Sequence, residues 1–96
     1  MRGNMKLSII IPVYNEINTF LEIFRRVTES PFDKEIIVID DLSDDGSREI
    51  ISGIEEPGVV TILNDKHMGK GFSVREGFKK VTGDIVIVQD ADLEYY

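Results

Sequence analysis

No cysteine occurs among the 96 residues, which excludes disulfides and thiolate metal sites. Histidine occurs once, at His67, with no second soft ligand beside it, so it reads as a polar loop residue rather than a metal ligand. Basic residues are few: 11 Lys and Arg stand against 18 Asp and Glu, a net charge of −7. With no basic stripe to neutralise a phosphate backbone, a nucleic acid is not expected as the main partner. No apolar run approaches the length of a membrane span, and Met1–Asn4 leads into no signal-peptide core. Met5 can serve as a start, which leaves residues 1–4 as an extension of residues 5–96. The expected location is the cytoplasm, or its membrane face in a full-length protein. Ninety-six residues bound the chain to one small domain.

What is present is concentrated at Gly83–Asp92. Four apolar, mostly β-branched residues, Ile85–Val88, run into two carboxylates, Asp90 and Asp92, at spacing i, i+2. Such a run reads as a buried parallel strand, and ligands of open α/β sheets bind beyond that end of the strands. Alternate residues of an extended segment point the same way, so the two carboxylates can converge on one object. Side by side they repel unless something positive lies between them, and a hard divalent cation is the simplest candidate. A solvated acidic turn is the plainer alternative.

Three further apolar runs have the same character: Leu7–Val13, Glu35–Ile39 and Val59–Leu63. Between them lie helical patterns. Asn15 offers an N-cap to a stripe of Ile17, Phe20, Leu21, Phe24 and Val27. Turn residues Ser43–Ser47 precede a short helix with Ile50, Ile51 and Ile54 inward. Gly69–Val81 spaces Val74, Phe78 and Val81 for one face, and Gly83 follows as a stop. This βαβαβαβ alternation predicts an α/β fold: a parallel sheet of four strands in the order 3-2-1-4, flanked by helices. Pro12–Glu16 and Asp90–Asp92 then face each other across one crevice, with Asp40-Asp41 next door. The fourth strand stands at an edge, an apolar template for pairing, so the chain reads as the first part of a larger domain. Self-association through Ile85–Tyr96 is expected.

Four motifs in order resemble one family. They are Pro-Val-Tyr-Asn-Glu (Pro12–Glu16); Val-Ile-Asp-Asp (Val38–Asp41) with Asp45-Gly46-Ser47; Gly69-Lys70-Gly71 with Thr82-Gly83-Asp84; and Gln89–Tyr95. Together they look like the amino-terminal, nucleotide-binding half of a GT-A-fold (Rossmann-like) family 2 glycosyltransferase of the dolichol-phosphate mannose synthase type. The resemblance covers the chain from Met5 onward. It implies an inverting transferase that moves a hexose from a nucleotide-diphosphate sugar to a polyprenyl phosphate or a cell-envelope glycan, with Mg2+ or Mn2+ as cofactor.

Carried over by position, the resemblance puts Pro12, Tyr14 and Glu16 in the nucleotide pocket and Asp40 on the base or ribose. Asp92 becomes a direct metal ligand, with Asp90 on the ribose or on the metal through water. Lys70 could add positive charge at the phosphates, or be a solvated loop lysine. Tyr14 could equally be an ordinary half-buried aromatic, and Glu16 a first-turn acid favoured by the helix dipole. The family's catalytic base lies beyond the Asp-x-Asp stretch, so no catalytic residue is expected here and the isolated chain should be inactive or nearly so. One departure stands out. The family reads Val-Asp-Asp-Gly-Ser, whereas Asp41 is followed here by Leu42-Ser43-Asp44-Asp45-Gly46-Ser47, apparent extra residues expected to displace the loop at the nucleotide.

Competing patterns fail. Asp41–Gly46 half-matches a calcium loop, but its twelfth position is Ser52. Asn64–Gly71 lacks the first glycine and the Ser/Thr of a P-loop, and no G-x-G-x-x-G follows the first strand. A non-catalytic nucleotide-binding module remains the alternative, with a receiver-like domain a distant third.

Overall fold

A computed structural model describes residues 5–92. The extension at residues 1–4 and the last part of the expected interface, residues 93–96, lie outside the described residues. Seven elements alternate along the chain: β1 (Leu7–Val13), α1 (Phe20–Glu29), β2 (Lys34–Asp40), α2 (Ser47–Ser52), β3 (Val59–Leu63), α3 (Lys70–Phe78) and β4 (Ile85–Val88). All pairings are parallel and the sheet order is β3-β2-β1-β4, as the alternation predicts.

The two central strands form the core, and strand alternation divides that core between the two faces of the sheet. On one face Ile9, Ile11, Val13, Ile36 and Val38 pack with Phe20 and Phe24 of α1 and Ile51 of α2. On the other, Ile10, Ile37 and Ile39 form a smaller cluster with Ile62, Val81 and Val86 around it. The edge strands are less covered: Ile85, Ile87 and Val88 of β4 are each about two-fifths exposed.

Two helices differ from the sequence pattern, each for a local reason. The first begins at Phe20, not just after Asn15, and Thr19 holds its N-cap position. Asn15 is no cap: it adopts a positive φ of 53°, its N–H donates to Ser43 Oγ at 2.8 Å, and its Oδ1 accepts from the Asp44 N–H at 2.8 Å. The residue is spent on buttoning the β1–α1 loop to the β2–α2 loop. The third helix stops at Phe78 and turns Ser73 and Gly77 inward, while Phe78 is half exposed. A Cβ at Gly77 would meet Ile10 Cγ2 at 2.9 Å and Ile39 Cδ1 at 3.0 Å. The helix rides so close to the sheet that small residues, not Phe78, fit its inner face.

The sheet end opposite the strand C-termini carries a polar lock inside an apparently apolar run. Glu35 is buried on β2, where its Oε2 accepts from Ser8 Oγ at 2.5 Å and from the Thr82 N–H at 2.6 Å, and its Oε1 from Thr82 Oγ1 at 2.9 Å. Ser8 Oγ in turn accepts from the Gly83 N–H at 2.8 Å. Gly83 approaches β1 so closely that a Cβ would lie 2.6 Å from Ser8 Oγ and 2.8 Å from the Lys6 carbonyl oxygen. This network fixes the start of β4, and hence where its acidic C-terminal end emerges.

Candidate functional site

A cavity of about 410 Å3 opens beyond the C-terminal ends of β2, β1 and β4. That is the ligand position expected of an open parallel sheet, and the size falls in the range of small-molecule sites. Of the residues predicted from sequence, Pro12, Tyr14, Glu16, Lys70, Asp90 and Asp92 all line it.

Asp90 and Asp92 project from a short segment after β4 that is held between them. Ala91 is buried in the α1-side core, and its carbonyl oxygen accepts from Thr19 Oγ1 at 2.6 Å. With the middle residue pinned from both directions, the flanking carboxylates are left at the cavity. Lys70, the first residue of α3, ion-pairs with Asp90. The bond to Asp90 raises the Lys70 pKa against the opposing effect of burial, and the Asp90 and Asp92 charges add to the rise. Both partners of the ion pair are more than half exposed, so solvent screens it.

Asp40, expected on the base or ribose, does not line the cavity. Strand alternation turns it to the face of Ile36 and Val38, where it is fully buried. Its Oδ2 accepts from the Ser43 N–H at 3.0 Å and from Arg48 Nη1 at 2.9 Å, and its Oδ1 is a buried atom without a partner among the described residues. The next residue, Asp41, reaches the cavity instead. Burial pushes the Asp41 carboxyl up, but bonds from the Met68 N–H, the Asn64 amide and the Gly69 N–H outweigh it. With the nearby His67 they hold the group below the usual carboxylate range.

The loop after Asp41 is tied to the loop after β1 through Ser43, Asp44 and Asp45. Leu42 takes a positive φ of 64°, a conformation natural to glycine, the residue that follows Asp-Asp in the family's motif. Asp45 completes the turn: its Oδ2 accepts from the Ile17 N–H and its Oδ1 from the Ser47 N–H, each at 3.0 Å.

His67 is the residue that the sequence pattern undervalued. Its ring stands against Tyr14 with centroids 4.1 Å apart and a tilt of 33°, and its Nδ1 lies 2.8 Å from Asp41 Oδ2. The signal was faint, a lone histidine two residues before Gly69-Lys70-Gly71, with an acidic partner 26 positions away that only the fold supplies.

The cavity gathers Glu16, Asp41, Asp90 and Asp92 around a single lysine. An anionic ligand would need a cation to enter it. Among the described residues no group of three or more His, Cys, Asp or Glu is arranged to hold a metal by itself. Two hard carboxylates flanking Ala91 nevertheless suit a cation of the Mg2+ class, which takes one or two protein carboxylates and completes its shell with phosphate oxygens and water.

With that geometry in place the relatives are informative. The profile of glycosyl transferase family 2 matches residues 8–96. The chain belongs to glycosyltransferase family 2. It is 40% identical over 96 residues to the undecaprenyl-phosphate 4-deoxy-4-formamido-L-arabinose transferase of Enterobacter sp. (strain 638), covering 93% of this chain and 29% of that protein. Among solved structures it superposes on the mannosyltransferase PcManGT from Pyrobaculum calidifontis, in complex with GDP-Man and Mn2+. There the TM-score is 0.81 at 24% identity, over 94% of this chain and 28% of that one. S. aureus TarS in complex with UDP gives the same TM-score at 24% identity, over 92% and 28% of the two chains. These neighbours establish the fold: the sheet of this family 2 chain is part of a GT-A fold. No helix among the described residues is long and apolar enough to cross a membrane.

Proposed function

We propose that the cavity binds a nucleoside-diphosphate sugar together with a divalent cation, as the donor half of an inverting glycosyltransferase acting on a polyprenyl phosphate. The observation that carries this reading is the convergence of an aromatic and polar end (Tyr14, Asp41, His67) and an acidic end (Asp90, Asp92, with Lys70) in one cleft at the strand C-termini. The strand order β3-β2-β1-β4 spaces the two ends across β1, so a base can lie toward β2 and a diphosphate toward β4.

Asp92 and Asp90 are the residues that would hold the cation, Mg2+ or Mn2+; when bound, it supplies neutralising charge to the nucleotide leaving group. Lys70 adds mobile positive charge at the same end, released from Asp90 as that carboxylate turns to the ligand. Asp40 acts behind the wall, tying Ser43 and Arg48, and not on the nucleotide. The family relative named for undecaprenyl phosphate supports a polyprenyl-phosphate acceptor. That same name carries an arabinose derivative, so it lends no weight to a hexose over another donor sugar. No residue of this chain is assigned as catalytic base.

Calorimetric titration with UDP and GDP tests the reading. Binding is expected with Mn2+ present, and is expected to be lost with EDTA or in Asp92→Ala. Metal-independent binding that Asp92→Ala leaves unchanged would remove the cation from the proposal.

A further inference from the structure

We infer that His67 reads the nucleobase and that Asp41 serves to aim it. This rests on the nucleotide reading of the cavity and names what that reading leaves open, the class of base. Asp41 is the obvious polar group at that end, but its carboxylate is already engaged. Oδ1 accepts from the Met68 N–H at 2.8 Å and from Asn64 Nδ2 at 2.9 Å. Oδ2 accepts from the Gly69 N–H at 2.8 Å and lies 2.8 Å from His67 Nδ1. Three hydrogen bonds and the adjoining imidazole take up most of the roughly four lone-pair sites of a carboxylate, and His67 Nδ1 also lies 3.3 Å from the Asp41 carbonyl oxygen. Asp41 therefore has little left to offer a base; it anchors the loop and the imidazole.

The same contacts fix what His67 presents. Nδ1 faces two acceptors, Asp41 Oδ2 at 2.8 Å and the Asp41 carbonyl oxygen at 3.3 Å, so it is the nitrogen that carries a proton. In the neutral ring Nε2 then bears a lone pair, and among the described residues that atom has no hydrogen-bond partner. Tyr14 braces the ring from the side at a centroid distance of 4.1 Å. The imidazole is thus oriented before any ligand arrives, and little rotamer entropy remains to be lost on binding. An aimed acceptor at the wall of a half-open cavity is a recognition element.

An acceptor at Nε2 complements a ring N–H, as found at N3 of uracil and N1 of guanine. Cytosine and adenine place a lone pair at the matching ring nitrogen, which faces Nε2 with like polarity and leaves both atoms unpaired. The site is therefore built for a nucleoside diphosphate whose base carries a ring N–H. Uracil and cytosine make the sharper comparison, because they share one size and shape.

The test is calorimetry at mildly alkaline pH with excess Mn2+, titrating UDP, CDP and inorganic pyrophosphate into the chain and into His67→Ala and His67→Gln. A site with a positioned polar group rejects an analogue that leaves it unpaired, so wild type should bind UDP about tenfold tighter than CDP. His67→Ala should bring the two within about twofold, and His67→Gln likewise, because its amide can turn to donate or accept. Pyrophosphate should bind all three proteins equally. A tenfold preference that survives both substitutions overturns the inference, as does wild type binding UDP and CDP alike while pyrophosphate still binds. Should wild type bind neither pyrophosphate nor nucleotide, the reading of the cavity falls and the inference with it.

Discussion

Replacing Glu35 by Gln keeps the side chain's shape and removes its charge at a buried polar cluster of the sheet. The carboxylate accepts three hydrogen bonds, from Ser8 Oγ, the Thr82 N–H and Thr82 Oγ1, at 2.5, 2.6 and 2.9 Å. Glutamine retains one acceptor and turns an NH2 toward donors, leaving at least one buried group unmatched at about 1–3 kcal/mol and weakening what remains. A total loss of about 2–3 kcal/mol is expected, a large share of the roughly 5–14 kcal/mol typical of a chain this size. With a urea m-value of about 1.5 kcal/mol/M, the midpoint should drop by about 1.3–2 M. Burial raises the Glu35 pKa, but the Ser8 and Thr82 bonds and the Lys6 charge lower it further, so the folded value lies below the unfolded one. A group depressed in this way contributes its stability above the unfolded pKa, near 4.5, and loses it as pH falls through the folded value. Urea unfolding followed by far-UV circular dichroism should therefore show a wide gap between wild type and Glu35→Gln at neutral pH that narrows in acid. A neutral-pH difference below about 0.5 kcal/mol would refute this account of the lock, since even one unmatched buried group costs more. So would a gap that stays constant down to low pH.

Two further expectations follow from strain and from the open edge. Leu42 sits at a φ of 64°, where a branched side chain costs about 1–2 kcal/mol, while glycine there loses only about 0.5–1 kcal/mol of backbone entropy. Leu42→Gly should accordingly stabilise the chain by up to about 1 kcal/mol, and a lowered urea midpoint would contradict the strain assigned to Leu42. The outer edge of β4 pairs with no strand among the described residues and carries exposed Ile85, Ile87 and Val88, so light scattering should show concentration-dependent self-association. The double change Ile87→Lys, Val88→Lys should abolish it, and a dimer that persists unchanged would place the contact elsewhere.

The strand order was legible because β1 and β2 carry the apolar runs Ile9–Ile11 and Ile36–Ile39, the pattern of strands buried on both faces, and the crossovers leave few ways to arrange them. The acidic end of the cleft was legible for the same reason, since Asp90 and Asp92 follow an apolar strand directly. What escaped were contacts between positions far apart in sequence. Asn15 has the composition of a helix cap but is consumed by Ser43 and Asp44, 28 and 29 residues on. Phe78 fits the spacing of an inward face, yet Gly77 brings α3 too near the sheet to admit it. Asp40 and Asp41 look interchangeable in sequence; strand alternation turns the first into the core, and only the incoming Asn64–Gly69 loop gives the second its work. Glu35 hides within an apolar run because the residues that satisfy it come from β1 and from the turn before β4.

The central claim is that a divalent cation and a diphosphate meet at the end of β4, and paramagnetic NMR locates such a cation directly. Traces of Mn2+ added with UDP should broaden first the backbone amides of Lys70, Asp90, Ala91 and Asp92, leaving those of Val27 and Ile54 sharp. In Asp92→Ala that selective loss should disappear. Broadening spread over the acidic surface of a chain with net charge −7, or centred on Glu55 and Glu56 and unchanged by Asp92→Ala, would contradict the assignment of the cleft.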